Sequence, residues 1–236
     1  MAKLQNVTRA HLGLLLANLV WAVNYPFYKV LMPHYITPVA LATFAVTVAG
    51  LLGLVSLFWG GIEKIDRNDI YKFIGAALLM GIAKKLLLMI GMQHTSPIEA
   101  SIIATLGPIL VLVFSFFFGI DRFTPMKVFG MVLGMGGALL VILSGGGAVT
   151  SGEKLMGNLF VVGAIAASSF SMVWLKGLIM KYRPITVLRV YYPMAAVMLL
   201  PFGFDSMIHT DFAAMPAEAL WMFFYVILIP SALITC

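Results

Sequence analysis

Residues 80–118 read MGIAKKLLLMIGMQHTSPIEASIIATLGPILVLVFSFFF. Two long apolar runs flank a polar elbow, His94-Thr95-Ser96-Pro97, and two adjacent lysines, Lys84 and Lys85, lie deep inside the first run. A helix needs about 20 apolar residues to cross a hydrocarbon core about 30 Å thick, and both runs are close to that length. Either the lysines defeat a membrane reading, or they sit at the working centre of a membrane protein.

Composition decides for the membrane. Of 236 residues, 62% are hydrophobic and 10% charged, with a mean hydropathy of +1.04. A soluble domain carries about 25% charged residues, and a fold of this size could not coat so much apolar surface with so few. The formal charge of +6 does not point to nucleic acid, because the basic residues stand singly between apolar runs and not in one patch. A lone cysteine, Cys236, excludes an internal disulfide and a cysteine-based metal cluster.

Working outward, the apolar runs predict an all-α polytopic protein. They give seven full spans, near residues 10–31, 38–59, 72–93, 98–118, 126–145, 156–177 and 185–204, and an eighth that begins near Ala219. The runs are continuous and do not alternate, so helices are expected and not a barrel. The first run continues through Asn24-Tyr25-Pro26 without a small-residue cleavage site, so it reads as a retained span and not a signal peptide. Pro33 to Pro38, Gly60-Gly61, Ser96-Pro97, Gly119 to Pro125 and Ser144 to Gly152 mark short connections, which make consecutive helices antiparallel neighbours. Lys3, Arg9, Lys64, Arg67, Lys72, Arg122, Lys127, Lys176, Lys181 and Arg183 fall at one end of the spans, and Lys154 alone at the other. That bias predicts a cytoplasmic N-terminus.

The segment from Gly13 to Val55 has a weak echo from Gly157 to Leu200. Each holds a helix with a polar interruption (Trp21 to Asn24; Ser168, Ser169, Ser171 and Trp174) and then a proline opening the next helix, Pro38 or Pro184. Five spans per copy is an odd number, so the copies would lie inverted, the arrangement of many secondary transporters with a midplane site. Trp21-Ala22-Val23-Asn24 with Lys29, Thr95 to Ser101, Thr105-Leu106-Gly107-Pro108-Ile109 and Gly130 to Leu140 together resemble the EamA-type family of the drug/metabolite transporter superfamily. The likeness runs over residues 8–236. It implies ten spans in two inverted five-helix repeats, 8–145 and an incomplete 155–236, of which about seven and a half spans are present here. It also implies a location in the bacterial inner (plasma) membrane, and export more often than import. Ala45 stands where the family often has an arginine, and the lysine pair is unlike the family's uncharged residues there.

The pair is costly. A lysine at a helix centre costs about 2.5–3.5 kcal/mol, so two cost about 6, while each Phe, Ile or Leu of the span returns only about 0.3–0.6. Span 3 therefore needs neighbours, water or a ligand. Adjacent helical residues lie about 100° apart, so one lysine is expected to face a cavity and the other a helix interface. Snorkelling is the competing reading, hard from mid-span but natural for Lys29 and Arg189 near span ends. Glu99 either stabilises the N-terminus of the fourth helix or couples protons. Pro26, Pro108, Pro193 and Pro230 either kink helices for packing or help them open and close. Gly130 and Gly134 form a GxxxG suited to close packing within the bundle. Gly147 to Lys154 mimics a phosphate loop, but no strand precedes it.

The reading is a carrier of a small metabolite or drug-like molecule, working by alternating access with no cofactor or metal. Candidate binding residues are Trp21, Asn24, Tyr25, Lys84, Lys85 and Trp174, with Gly107 and Pro108 shaping the wall. Its expected partners are that small molecule and the lipid bilayer. A scaffold or receptor is the alternative, and an intramembrane enzyme a weaker one. No HExxH or GxSxG occurs, and His11, His34, His94 and His209 are scattered.

Overall fold

The computed structural model describes residues 2–32, 34–61, 63–122, 124–144 and 152–235. Cys236 and most of the Gly147 to Lys154 loop lie outside the described residues. The chain is an all-α membrane protein, and its described residues contain no strand. Eight principal helices follow in order: α1 (Ala2–Leu31), α2 (Pro38–Val55), α3 (Arg67–His94), α4 (Pro97–Phe117), α5 (Pro125–Ser144), α6 (Gly152–Trp174), α7 (Pro184–Ile208) and α8 (Ala217–Thr235). Among the described residues, six are long and apolar enough to cross a membrane. α5 and α8 occupy the two remaining expected places.

The helix starts follow from short polar signals. Thr37 accepts from the Ala40 amide at 3.2 Å and Ser96 from the Glu99 amide at 3.1 Å. In each case proline follows as the first helical residue, where its missing N–H costs nothing. α4 breaks at Thr105-Leu106, where 3-residue bonds replace the helical ladder (Thr105 to Ile102, Leu106 to Ile103, both 3.0 Å). Pro108 explains this, since it donates no bond to Ala104 and its ring crowds that carbonyl. α1 by contrast continues through Pro26. α3 widens into a π-helical stretch over Ala77–Ala83, immediately before the lysine pair. Such stretches are found frequently at functional sites.

α2 packs along α7, the C-terminal half of α3 packs along α6, and α8 leans on α1 and α2. α4 lies outside α6, with α5 against it. A Cβ on Gly91 would lie 2.8 Å from the Gly157 carbonyl, so α3 and α6 touch backbone to backbone. Of the GxxxG pair, Gly134 sits against the Ile109 side chain of α4 and Gly130 faces open space.

Apolar side chains gather in two clusters. One joins Phe73, Ala76 and Ala77 of α3 to Leu178, Tyr182 and the first turns of α7, at the end that carries Arg67 and Lys181 (the basic end). The other joins Leu88, Met89 and Met92 of α3 to Leu31, Leu41, Ile103 and Val161 towards the opposite end. Lys84 and Lys85 fall between them.

Two expectations are corrected. Lys29 does not reach for headgroups: its ammonium donates to the carbonyls of Gln93 (3.0 Å) and Met92 (3.4 Å), closing the end of α3. Arg189, 9% exposed, does not snorkel either. Its guanidinium donates to Ser56 Oγ and the Gly61 carbonyl, both at 2.8 Å, beyond the end of α2. In both cases unpaired backbone carbonyls near a helix end offered a nearer partner than water.

Candidate functional site

Between the two clusters lies a cavity of about 220 Å³. α1 supplies Trp21, Asn24, Tyr25 and Tyr28, positions i, i+3, i+4 and i+7 that share one helix face. α3 supplies Met80, Gly81, Lys84, Lys85 and Leu88; α7 supplies Tyr191 and Tyr192; α2 gives small residues, Ala45 and Ala49. Ile165 of α6 and Pro230 and Ser231 of α8 complete the wall. Gly81 makes the crossing with α7 possible, since a Cβ there would sit 2.5 Å from that of Ala195.

Both lysines border this cavity, where at least one was expected. Lys84 lies over the Trp21 ring, 5.4 Å from its centroid, and Lys85 over the Tyr28 ring at the same distance. Lys85 also donates to the Tyr28 hydroxyl at 3.3 Å. Their arc of about 100° on α3 is matched by two aromatics two turns apart on α1, so each ammonium meets its own π face. Among the described residues, no carboxylate lines the cavity. Asn24 is 3% exposed. Its amide nitrogen is committed to the α1 carbonyls of Val20 (2.9 Å) and Trp21 (3.4 Å), and its oxygen has no hydrogen-bond partner.

The remaining sequence candidates lie elsewhere. Pro108 borders an open groove between α1 and α4, which shares Trp21 and Tyr25 with the cavity. Gly107 is not on the cavity wall, and its carbonyl accepts from Ser169 of α6 at 3.2 Å. α4 stands in an outer layer, behind α6, which is why neither residue reaches the lysines. Trp174 is also displaced, packing on Gly75 at the basic end and stacking with Phe170 at 6.3 Å between centroids. Sequence reasoning missed Tyr28, Tyr191 and Tyr192. Tyr28 was signalled by its spacing of seven from Trp21; the two tyrosines of α7 carry no local signal.

Polar clusters close both ends of the α3–α6 contact. Opposite the basic end, Glu99 pairs with Lys154 at 2.6 Å and accepts from Thr95 and Asn158, both at 3.2 Å. Ser96, and not the Glu99 carboxylate, caps α4. At the basic end, Asp69 accepts from Lys181 (2.6 Å), Lys72 (2.9 Å) and the Tyr182 hydroxyl (3.0 Å), and Lys181 also bonds Asp66. The Asp66 and Asp69 carboxylates raise the Lys181 ammonium above its ordinary range. Among the described residues, no group of three or more His, Cys, Asp or Glu is placed to hold a metal.

A profile of the EamA-like transporter family matches residues 8–143. An uncharacterized transporter of Archaeoglobus fulgidus is 25% identical over 73% of this chain and 60% of its own length. The uncharacterized transporter YvbV of Bacillus subtilis is 26% identical over 85% of this chain and 65% of its own. The chain thus spans under two thirds of the length of these relatives. A crystal structure of a protein shares the fold at a TM-score of 0.57 and 17% identity, covering 93% of this chain and 77% of that one.

Proposed function

The chain belongs to the EamA-like transporter family, and from that premise we propose that it is a secondary transporter that exports a small anionic metabolite by alternating access. One observation carries this reading: two ammonium groups face a cavity in the middle of an apolar bundle, with no carboxylate on its wall among the described residues. Charge at that depth is expensive and is kept for function. At about 220 Å³ the cavity is smaller than the ~300–1,000 Å³ of drug-sized sites, which favours a metabolite. Trp21, Tyr25 and Asn24 are read as further contacts. The clustering of basic residues at one end supports a cytoplasmic N-terminus in the inner membrane. Residues 8–145 and 155–236 are read as two inverted repeats, supported by the prolines that open α2 and α7 alike.

The test is metabolite export from cells producing the chain or its Lys84→Ala/Lys85→Ala variant. Loss of export for at least one class of metabolite is expected. Export at the unchanged rate for every class refutes the reading, as does wild-type behaviour of the Lys84→Leu/Lys85→Leu variant, which a scaffold would tolerate.

A further inference from the structure

Resting on the proposed transport, we infer that the cavity recognises a small organic dianion, and that it discriminates against zwitterions such as amino acids. The argument is one of charge matching. Lys84 and Lys85 both border the same cavity, and neither makes an ion pair among the described residues. Each instead rests on an aromatic face, Trp21 or Tyr28, a contact weaker than a charge pair in a desolvated site. The other polar lining groups are neutral: Asn24, the tyrosine hydroxyls and Ser231.

A ligand with two negative charges neutralises both ammonium groups. A monoanion leaves one unpaired, and an unpaired charge away from water is the costly state. A zwitterion brings a third cation into a space whose wall offers it no carboxylate. The aromatic walls remain available to the ligand's apolar body. Dicarboxylates and phosphate monoesters share this chemistry, and the ligands tested separate them.

The experiment measures binding calorimetrically on the purified full chain in nanodiscs at pH 7.5. The ligands are succinate, glycerol 3-phosphate, succinamate and 4-aminobutyrate, in parallel with uptake into proteoliposomes. At least one dianion is expected to bind tenfold or more tighter than succinamate, with 4-aminobutyrate weakest. Lys84→Gln and Lys85→Gln should each bring the dianion down to the succinamate level, and Lys84→Arg should keep the preference. Circular dichroism and a monodisperse elution profile establish that the variants fold. Equal binding of succinamate or 4-aminobutyrate, failure of both dianions to bind, or a preference surviving both glutamine variants overturns the inference. Dianion-selective binding without flux would refute the transport reading alone. Flux of 4-aminobutyrate without dianion preference would refute the inference alone.

Discussion

Replacing Lys154 with methionine should unfold the protein more readily than replacing its partner Glu99 with glutamine. The Glu99 side chain is 7% exposed and that of Lys154 is 29% exposed, with 2.6 Å between their charged atoms. Without the ammonium, a carboxylate stays buried with only Thr95 and Asn158 to hold it. Stripping one partner from a buried pair costs about 3–5 kcal/mol, and partial exposure of the lysine places this case near about 3. Glutamine at 99 keeps neutral bonds to the same neighbours and leaves a lysine that can turn to water, a loss of about 1 kcal/mol. For a chain of this size about 1 kcal/mol moves the melting point by about 2–4 °C. Thermal unfolding in detergent should therefore fall by about 6–12 °C for Lys154→Met and about 2–4 °C for Glu99→Gln. The double variant should lie near the milder single one, because removing the pair leaves no orphaned charge. Equal losses for the two singles, or losses that add in the double, would refute this account of the pair.

Asn24→Ala removes a buried amide oxygen that lacks a partner, so it should raise the melting point by about 2–4 °C, for about 1 kcal/mol, while lowering transport. Gly157→Ala would bring a Cβ within 2.7 Å of His94 Cβ and 3.0 Å of the Gly91 carbonyl. Overpacking of this kind costs about 1–3 kcal/mol, read out as a lower melting point, and Gly163→Ala, whose Cβ would lie at an ordinary 3.6 Å, serves as the control. Glu63 accepts from the Arg183 amide at 2.9 Å, and that bond, followed by one from the Thr186 side chain, holds its carboxyl below its ordinary value. A depressed carboxyl stabilises the fold above its unfolded pKa and loses that effect as the pH falls through the folded one. The protection factors of the amides in residues 182–187, with the intrinsic rate at each pH divided out, should therefore be unchanged from pH 8 to 6 and fall only below about 4.

The fold was legible because lipid leaves the sequence little choice. Runs of about 20 apolar residues between proline and glycine turns are helices that cross and return. The lysine pair was legible for the same reason, being the one local conflict with that rule. The longer-range pairings were not. Lys154 read as a lone exception to the charge bias, although its ammonium sits on Glu99. Trp174 shares a polar neighbourhood in sequence with the serines of α6, yet α6 turns its ring toward Gly75 and away from the lysines. Lys29 and Arg189 looked like snorkelling residues because the carbonyls they meet, at Gln93 and Gly61, come from other helices. Gly107 and Pro108 were expected to shape the wall, and the layer order sets α4 behind α6, away from the lysines.

The polar clusters at the two ends of α6 have a mechanical consequence. Glu99, at the start of α4 just past the end of α3, fastens the beginning of α6 through Lys154 and Asn158, and Asp69 of α3 with Lys181 fastens the short helix just beyond its end. Beside the first of these fastenings, Gly91 and Gly157 bring the two backbones into contact. A beam pinned at both ends against a mast cannot swing about either pin, since tilting that slackens one fastening stretches the other. In the transport cycle proposed above, α3 and α6 move as one member with the lysines on its flank, and the helices around them supply the movement that uncovers the cavity.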